Sequence, residues 1–218
     1  MYIDSNLNLL MVEQTSAQAD KAGQQNNRID IELVRKALLE PEDFGVLIER
    51  YETKLMRYVM AFTNLDHQSA EDILQETFIK TYKNLNGFNQ SLTFSSWIYR
   101  IARNEALNYL KKHKNKNISL DAEDQENMAL INILASDENT QLKVSNQETS
   151  AKVREVLNLL KDDYREVLVL KFLEDYDYSE ISTILKKPLG TVGVLIGRAK
   201  DAFRQLAEKN NLYEHEQR

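Results

Sequence analysis

The chain has 218 residues, with 28 Lys plus Arg against 34 Asp plus Glu and a formal net charge of -6. It contains no Cys, which excludes a disulfide scaffold, a thiolate-held metal and thiol catalysis. Only six Gly and two Pro punctuate it, too few for a sandwich or barrel that turns every ~8 to 12 residues, so an all-α fold is expected.

The three His, at positions 67, 113 and 215, are too scattered to pair as ligands on one helix, and no metal or cofactor is expected. The N-terminus lacks a basic leader region, and no apolar run approaches the ~18 residues of a membrane span. A soluble cytoplasmic protein without a membrane partner follows as the expectation. Residues 1–29, rich in Gln, Asn, Ala and Asp, read as a mobile arm to which no function is assigned.

Helical periodicity begins at Ile31. Ile31, Leu33, Val34, Ala37 and Leu38 precede Pro41, which ends or offsets that helix. Phe44, Leu47, Ile48, Tyr51, Leu55, Tyr58, Val59 and Phe62 then recur with the spacing of one buried helical face. Asp66 or Ser69 can cap the next helix, with Ala70, Ile73, Leu74, Thr77, Phe78, Tyr82 and Leu85 inward and Asp72, Gln75, Glu76 and Ile79 outward. Residues 84–93 read as a loop. A helix over 95–112 follows, with Trp97, Ile98, Ile101, Ala102, Ala106, Tyr109 and Leu110 inward. Arg100, Arg103, Asn104, Asn108, Lys111 and Lys112 fall on or beside its polar side.

The charge then reverses. Residues 97–117 hold six basic residues against Glu105 alone, whereas residues 118–150 hold seven acids against Lys143 alone. This places one domain at 30–117, an acidic linker at 118–146 and a second domain at 147–210. In the linker, the apolar segment Met128 to Leu134 is open to two readings, a short docked helix or free chain. A linker of this kind leaves the two domains separately folded, and its acids could shield the basic helix until DNA displaces them.

The second domain opens with Val153, Val156, Leu157 and Leu160, followed by Val167, Leu168, Leu170 and Leu173. Asp177 with Glu180 three residues on is a capping box for a short helix carrying Tyr178, Ile181, Ile184 and Leu185. After a turn at 186–190, a last helix carries Val192, Leu195, Ile196, Ala199, Phe203 and Leu206. Two short helices joined in this way match a helix-turn-helix, and equally a plain three-helix bundle.

Three stretches carry a family resemblance: Asp66-His-Gln-Ser-Ala-Glu-Asp-Ile-Leu-Gln-Glu-Thr-Phe78, Phe94-Ser-Ser-Trp-Ile-Tyr-Arg-Ile-Ala-Arg-Asn104 and Leu160-Lys-Asp-Asp-Tyr-Arg-Glu-Val-Leu168. Together they resemble the extracytoplasmic-function group of the sigma-70 family of bacterial sigma factors, which keeps two domains, sigma2 and sigma4. The resemblance covers about 39–117 and 147–207. It implies a factor that binds core RNA polymerase, directs it to promoters and opens DNA at the -10 element.

As implied by that resemblance, Asp72, Gln75 and Glu76 contact the β′ clamp helices of core polymerase, and the β flap and an anti-sigma factor are further partners. A face of carboxylates and a carboxamide suits a basic partner helix, although a solvated face looks the same in sequence. Asn86, Asn89, Gln90 and Ser91 correspond to the part that captures a flipped base, and Arg100, Arg103, Asn104, Lys111, Lys112 and Lys114 lie where the family meets -10 DNA. Trp97 could stack on DNA, but it falls in the inward stripe, where core packing is the plainer role.

For the -35 element the resemblance points to Lys187, Thr191, Gly193, Val194, Leu195, Arg198 and Lys200. Here the chain departs from its family: Gly193, Val194 and Leu195 stand where members carry Lys, Ser and Arg. Gly193 and Gly197 leave a shallow groove that would admit either close DNA or a partner helix such as an anti-sigma segment. Thr191, Val194 and Leu195 could then meet thymine methyl groups.

No phosphate-cradling glycine loop, dinucleotide motif or based nucleophile supports an enzyme. The competing functions are a free-standing helix-turn-helix regulator, which needs a basic reading head and a dimer seam, and a decoy that occupies polymerase without reading promoters.

Overall fold

The computed structural model describes residues 23, 25–113 and 152–210, and among them there are helices and no strand. Residues 1–22 of the arm and residues 114–151, with Lys114, the linker acids and the Met128 to Leu134 segment, lie outside the described residues.

Helix α1 spans residues 25–39 and so begins inside the segment read as an arm. Tertiary partners explain this early start. Asn26 accepts from Arg50, the Asn27 side chain accepts from the Phe94 amide, and buried Asp30 takes Arg50 Nε at 2.7 Å and the Tyr51 hydroxyl at 2.5 Å. A 3-10 turn at Pro41–Asp43 leads into α2, Phe44–Thr63. Seven of the eight residues predicted for its inner face are buried, and the eighth, Ile48, is partly so. Asn64 closes the helix in the left-handed conformation at φ 55, where its amide still reaches the Met60 carbonyl.

Helix α3 spans His67–Lys83, and Asp66 rather than Ser69 is the cap, its carboxylate accepting the Ser69 amide at 2.8 Å. Tyr82, predicted inward, is 43% exposed and rests at the edge against Phe44. Helix α4 spans Phe94–His113. Phe88, Phe94 and Trp97 pack ring on ring at 5.2 to 5.7 Å, which anchors the loop before α4 to the core.

The second half runs through α5 (residues 152–158), α6 (Asp162–Leu168), a π-helical turn (Val169–Leu173), α7 (Tyr178–Leu185) and α8 (Leu189–Lys209). The capping box at α7 forms in full, with Asp177 accepting the Glu180 amide at 2.8 Å and Glu180 accepting the Asp177 amide at 3.0 Å. Lys186 turns the chain at φ 53, and Pro188 starts α8. Tyr178, predicted inward on α7, is 43% exposed and lies beside α8.

The two halves do not stand apart. Helix α4 packs on α7, α2 packs on α6 and the π turn, and one continuous core runs from Val34 to Ala199. Charged groups cross the seam. Glu166 accepts from Arg103 Nε at 2.6 Å, from Arg103 Nη2 at 3.1 Å and from the Tyr58 hydroxyl at 2.9 Å. Glu174 accepts from Arg57 at 2.7 and 2.9 Å and from the Tyr99 hydroxyl at 2.6 Å. Buried Arg165 donates to the Phe62 carbonyl at 2.9 Å, and Asn158 donates to Asn64 at 3.0 Å. The expectation of two separately folded domains did not include this contact.

Candidate polymerase and DNA interface

On α3, Asp72, Gln75 and Glu76 are exposed on one side, and Ile79, 46% exposed, extends the same face by a turn. Glu76 lies 3.5 Å from Lys80 Nζ, and Lys80 also bonds Glu105 on α4, so the face is acidic at Asp72 and partly neutralised at Glu76. Both hydrogen bonding and charge from Glu105 raise the Lys80 pKa.

Around α4, Asn86, Asn89, Gln90 and Ser91 are all exposed at the helix's N-terminal end. Two of the side chains already have partners: Asn89 Oδ1 accepts the Ser91 backbone amide at 3.0 Å, and Gln90 Oε1 accepts from Arg35 at 3.4 Å. Arg100, Asn104 and Lys111, spaced four and seven residues apart, line one face of α4. Lys112 falls off that face by about a quarter turn or more. Trp97 is buried at 8% exposure between Phe88 and Phe94, so its ring serves the core.

Arg103 sits on the flank of the α4 face, but its guanidinium is turned to Glu166 and only 16% of its side chain is exposed. Burial works against its charge, and the Glu166 carboxylate more than offsets this, leaving its pKa raised. Burial likewise pushes Glu166 upward despite the two groups that hydrogen-bond to it.

On α8, Thr191, Val194 and Arg198 are exposed along one face. Three candidates depart from it. Leu195 is half-buried and packed against the core, and Lys200 stands on the opposite side of the helix with its ammonium 5.4 Å from the Phe172 ring. Lys187 is half-buried in the turn, 3.7 Å from Asp163. Gly193 faces α7, where a Cβ would meet the Tyr178 ring at 3.8 Å, whereas Gly197 faces open space. The shallow groove of the two glycines is therefore partly filled by Tyr178.

Gly197→Ala is accordingly expected to stabilise the chain by about 0.5–1 kcal/mol through helix propensity alone. Thermal melting checks the gain, and a promoter-use assay checks the glycine reading: equal initiation by the variant removes close backbone approach at this residue.

On the far side of α8, a groove of about 300 Å³ is lined by Val153, Leu157, Leu168, Phe172, Leu173 and Phe203, with Lys200 and Arg204 beside them. Sequence reasoning missed this groove and missed Glu166, Glu174 and Arg57. Glu166 directly precedes the apolar run Val167-Leu-Val-Leu170, and a carboxylate beside it does hint at a buried partner.

Among the described residues no group of acids and histidines could hold a metal ion, and no helix is long and apolar enough to cross a membrane. The Sigma-70 region 2 model matches residues 47–116 and the Sigma-70 region 4 model matches residues 150–203. The RNA polymerase sigma-H factor of Pseudomonas aeruginosa is 33% identical over 162 residues, 73% of this chain and 83% of that protein. The ECF RNA polymerase sigma factor SigW of Bacillus subtilis is 33% identical over 169 residues, 76% and 89% respectively.

In fold, the chain is similar to CnrH solved in complex with the cytosolic domain of CnrY, with TM-score 0.58, 21% identity and coverage of 81% of this chain and 96% of that one. It is equally similar to the sigma factor RpoE of Bartonella quintana solved with the anti-sigma factor NepR, with TM-score 0.58, 20% identity and coverage of 77% and 98%. Two matched regions in the right order, on a helical scaffold with a completed helix-turn-helix, make this chain a member of the extracytoplasmic-function group of the sigma-70 family, a sigma factor that directs RNA polymerase to promoters.

Proposed function

We propose that this sigma factor, acting in the cytoplasm, grips the β′ clamp helices with Asp72, Gln75 and Glu76 of α3. In this reading it holds melted -10 DNA on the face of α4 that carries Arg100, Asn104 and Lys111, with Asn86, Asn89, Gln90 and Ser91 as the pocket for a displaced base. The observation that carries the reading is the register of those α4 side chains, two cations and a carboxamide on one face, half-buried at Arg100 and exposed at Asn104 and Lys111, on the helix that follows an exposed polar loop. The sigma2-like domain is 30–117 and the sigma4-like domain 147–210.

At the -35 element, Thr191, Val194 and Arg198 supply the reading face, a weakly polar one that favours A/T-rich sequence and leaves most discrimination to the -10 element. The apolar groove beside α8 is suited to a helical element of the polymerase, and the β flap is the partner the family implies. An anti-sigma factor is a further partner, since both solved relatives named above were captured with a second protein, one of them titled an anti-sigma factor.

Mixing the protein with core polymerase and a supercoiled promoter library, then sequencing the transcripts, tests the reading. Discrete start sites that depend on the protein are expected, whereas polymerase binding without transcripts would mark a decoy. Arg100→Ala with Lys111→Ala should lower the slope of log affinity for single-stranded -10 DNA against log salt by about 1.4, the loss of two phosphate contacts. An unchanged slope would place the DNA on another face.

A further inference from the structure

Helix α1, residues 25–39, lies ahead of residues 47–116, the stretch matched by the Sigma-70 region 2 model. It runs along the loop read as the base pocket and is tied to that part of the chain at two points. Near its start, Asn27 accepts the amide of Phe94, the first residue of α4, at 3.2 Å. About two turns on, Arg35 Nη2 donates to Gln90 Oε1 at 3.4 Å. The two ties are about 12 Å apart along the helix axis. Between them, buried Asp30 fixes α1 to Arg50 and Tyr51 of α2.

The inward side of α1 is Asp30, Val34 and Ala37, which turns Arg28, Glu32, Arg35 and Lys36 outward, and all four are exposed. Arg28 and Arg35 stand seven residues apart, on nearly the same side of the helix and about 10 Å from each other along its axis. Three phosphate steps of one strand, at about 3.4 Å each, cover the same length. Glu32 stands between the two cations in sequence, and Lys36 is about a quarter turn from Arg35, so the face offers two aligned contacts rather than a broad basic patch.

The arginines around this site differ in how firmly they are held. Arg50 gives Nε to buried Asp30 at 2.7 Å, and Arg103 gives Nε to buried Glu166 at 2.6 Å. Arg35 instead meets a neutral amide oxygen at 3.4 Å on the surface, beyond the usual N–H···O range of about 2.7–3.2 Å. A phosphate bonds a guanidinium at about 2.7–2.9 Å, often through two nitrogens, and so displaces the Gln90 oxygen. That oxygen is then released to accept from a base.

We propose that α1 is the second wall of the -10 pocket, with Arg35 holding the phosphate of the displaced nucleotide and Arg28 a phosphate further along the same strand. The inference rests on the reading of residues 86–91 as that pocket. It gives α1 a binding role and makes capture of the backbone by Arg35 the event that frees Gln90 to face the base.

The full-length chain and an oligothymidylate of about 20 residues test this, since phosphate contacts need no particular sequence. Arg35→Ala is expected to lower the slope of log affinity against log salt by about 0.7, which is about fivefold in affinity at about 0.1 M salt. Adding Arg28→Ala should double the change in slope to about 1.4. Arg35→Lys should restore the native slope, because a point charge still meets the phosphate. Melting temperatures are expected to stay at the native value, as both side chains are exposed.

An unchanged slope in Arg28→Ala with Arg35→Ala, beside a fall in Arg100→Ala with Lys111→Ala, would overturn the α1 wall and leave the α4 reading standing. A fall in the α1 pair alone would keep the α1 contact and move the strand off α4. No change in either pair, or no binding by the native chain at low salt, would remove both.

Discussion

Asp72→Lys combined with Glu76→Lys is expected to weaken association with core polymerase by about 3 kcal/mol, roughly a hundredfold, while leaving the chain folded. The two carboxylates are exposed on α3, one turn apart, and Ile79 follows them on the same face. Against a basic partner helix they supply charge-assisted acceptors; two lysines instead set like charge against like, which costs several kcal/mol in a desolvated contact. Neither carboxylate supports the core. Glu76 shares Lys80 with Glu105, and that second carboxylate keeps Lys80 held after the substitution. Surface changes of this kind usually move stability by no more than about 0.5 kcal/mol. Co-purification and competition for core polymerase measure the first effect, and thermal melting the second. Binding equal to that of the native chain would remove this face from the interface.

Phe94→Ala should have the largest effect on stability. Phe94 is fully buried at the start of α4, with ring contacts to Tyr51 at 5.5 Å, Phe88 at 5.5 Å and Trp97 at 5.7 Å. Truncating such a ring costs about 3–5 kcal/mol in transfer and cavity terms. For a chain of this size that lowers the melting temperature by about 10 °C. The same ring holds Phe88, so the loop carrying Asn86, Asn89, Gln90 and Ser91 should loosen as well. Trp97 is the chain's one tryptophan, which makes its emission a direct reporter: a shift to longer wavelength is expected as water reaches it. A melting temperature within 3 °C of the native value, with emission unchanged, would show that the aromatic cluster does not carry this end of α4.

These two outcomes concern different kinds of site residue. The α3 face was legible because it is defined by what a helix leaves outside: with Ala70, Ile73, Leu74, Thr77 and Phe78 inward, Asp72, Gln75 and Glu76 have to point out. The aromatic cluster was legible in part. Trp97 falls in the inward stripe of α4, yet its position in the family's DNA-facing segment left a second role open until the rings of Phe88 and Phe94 were found packed on it.

Helical periodicity, the Asp66 cap, the Asp177 capping box and the turn before Pro188 act within a few residues, so the sequence alone determined the all-α class, most helix limits and the family to which the chain belongs. Side-chain partnership across long separations was decided by tertiary structure. Arg103 and Glu166 stand 63 residues apart, and Arg57 and Glu174 stand 117 apart. In sequence, Arg103 is one more cation on a basic helix, and its charge fits a phosphate as well as a carboxylate. Packing of α6 on α2, with α7 packed on α4 beside it, brings Glu166 of α6 to it and excludes water, and in that setting an unpaired charge is too costly to leave. The same logic sorted α8, where Leu195 and Lys200 turned toward the core and the Phe172 ring because the helix had to bury Val192, Ile196 and Ala199. Local rules fix what each residue can do, and burial against distant residues fixes which of those things it does.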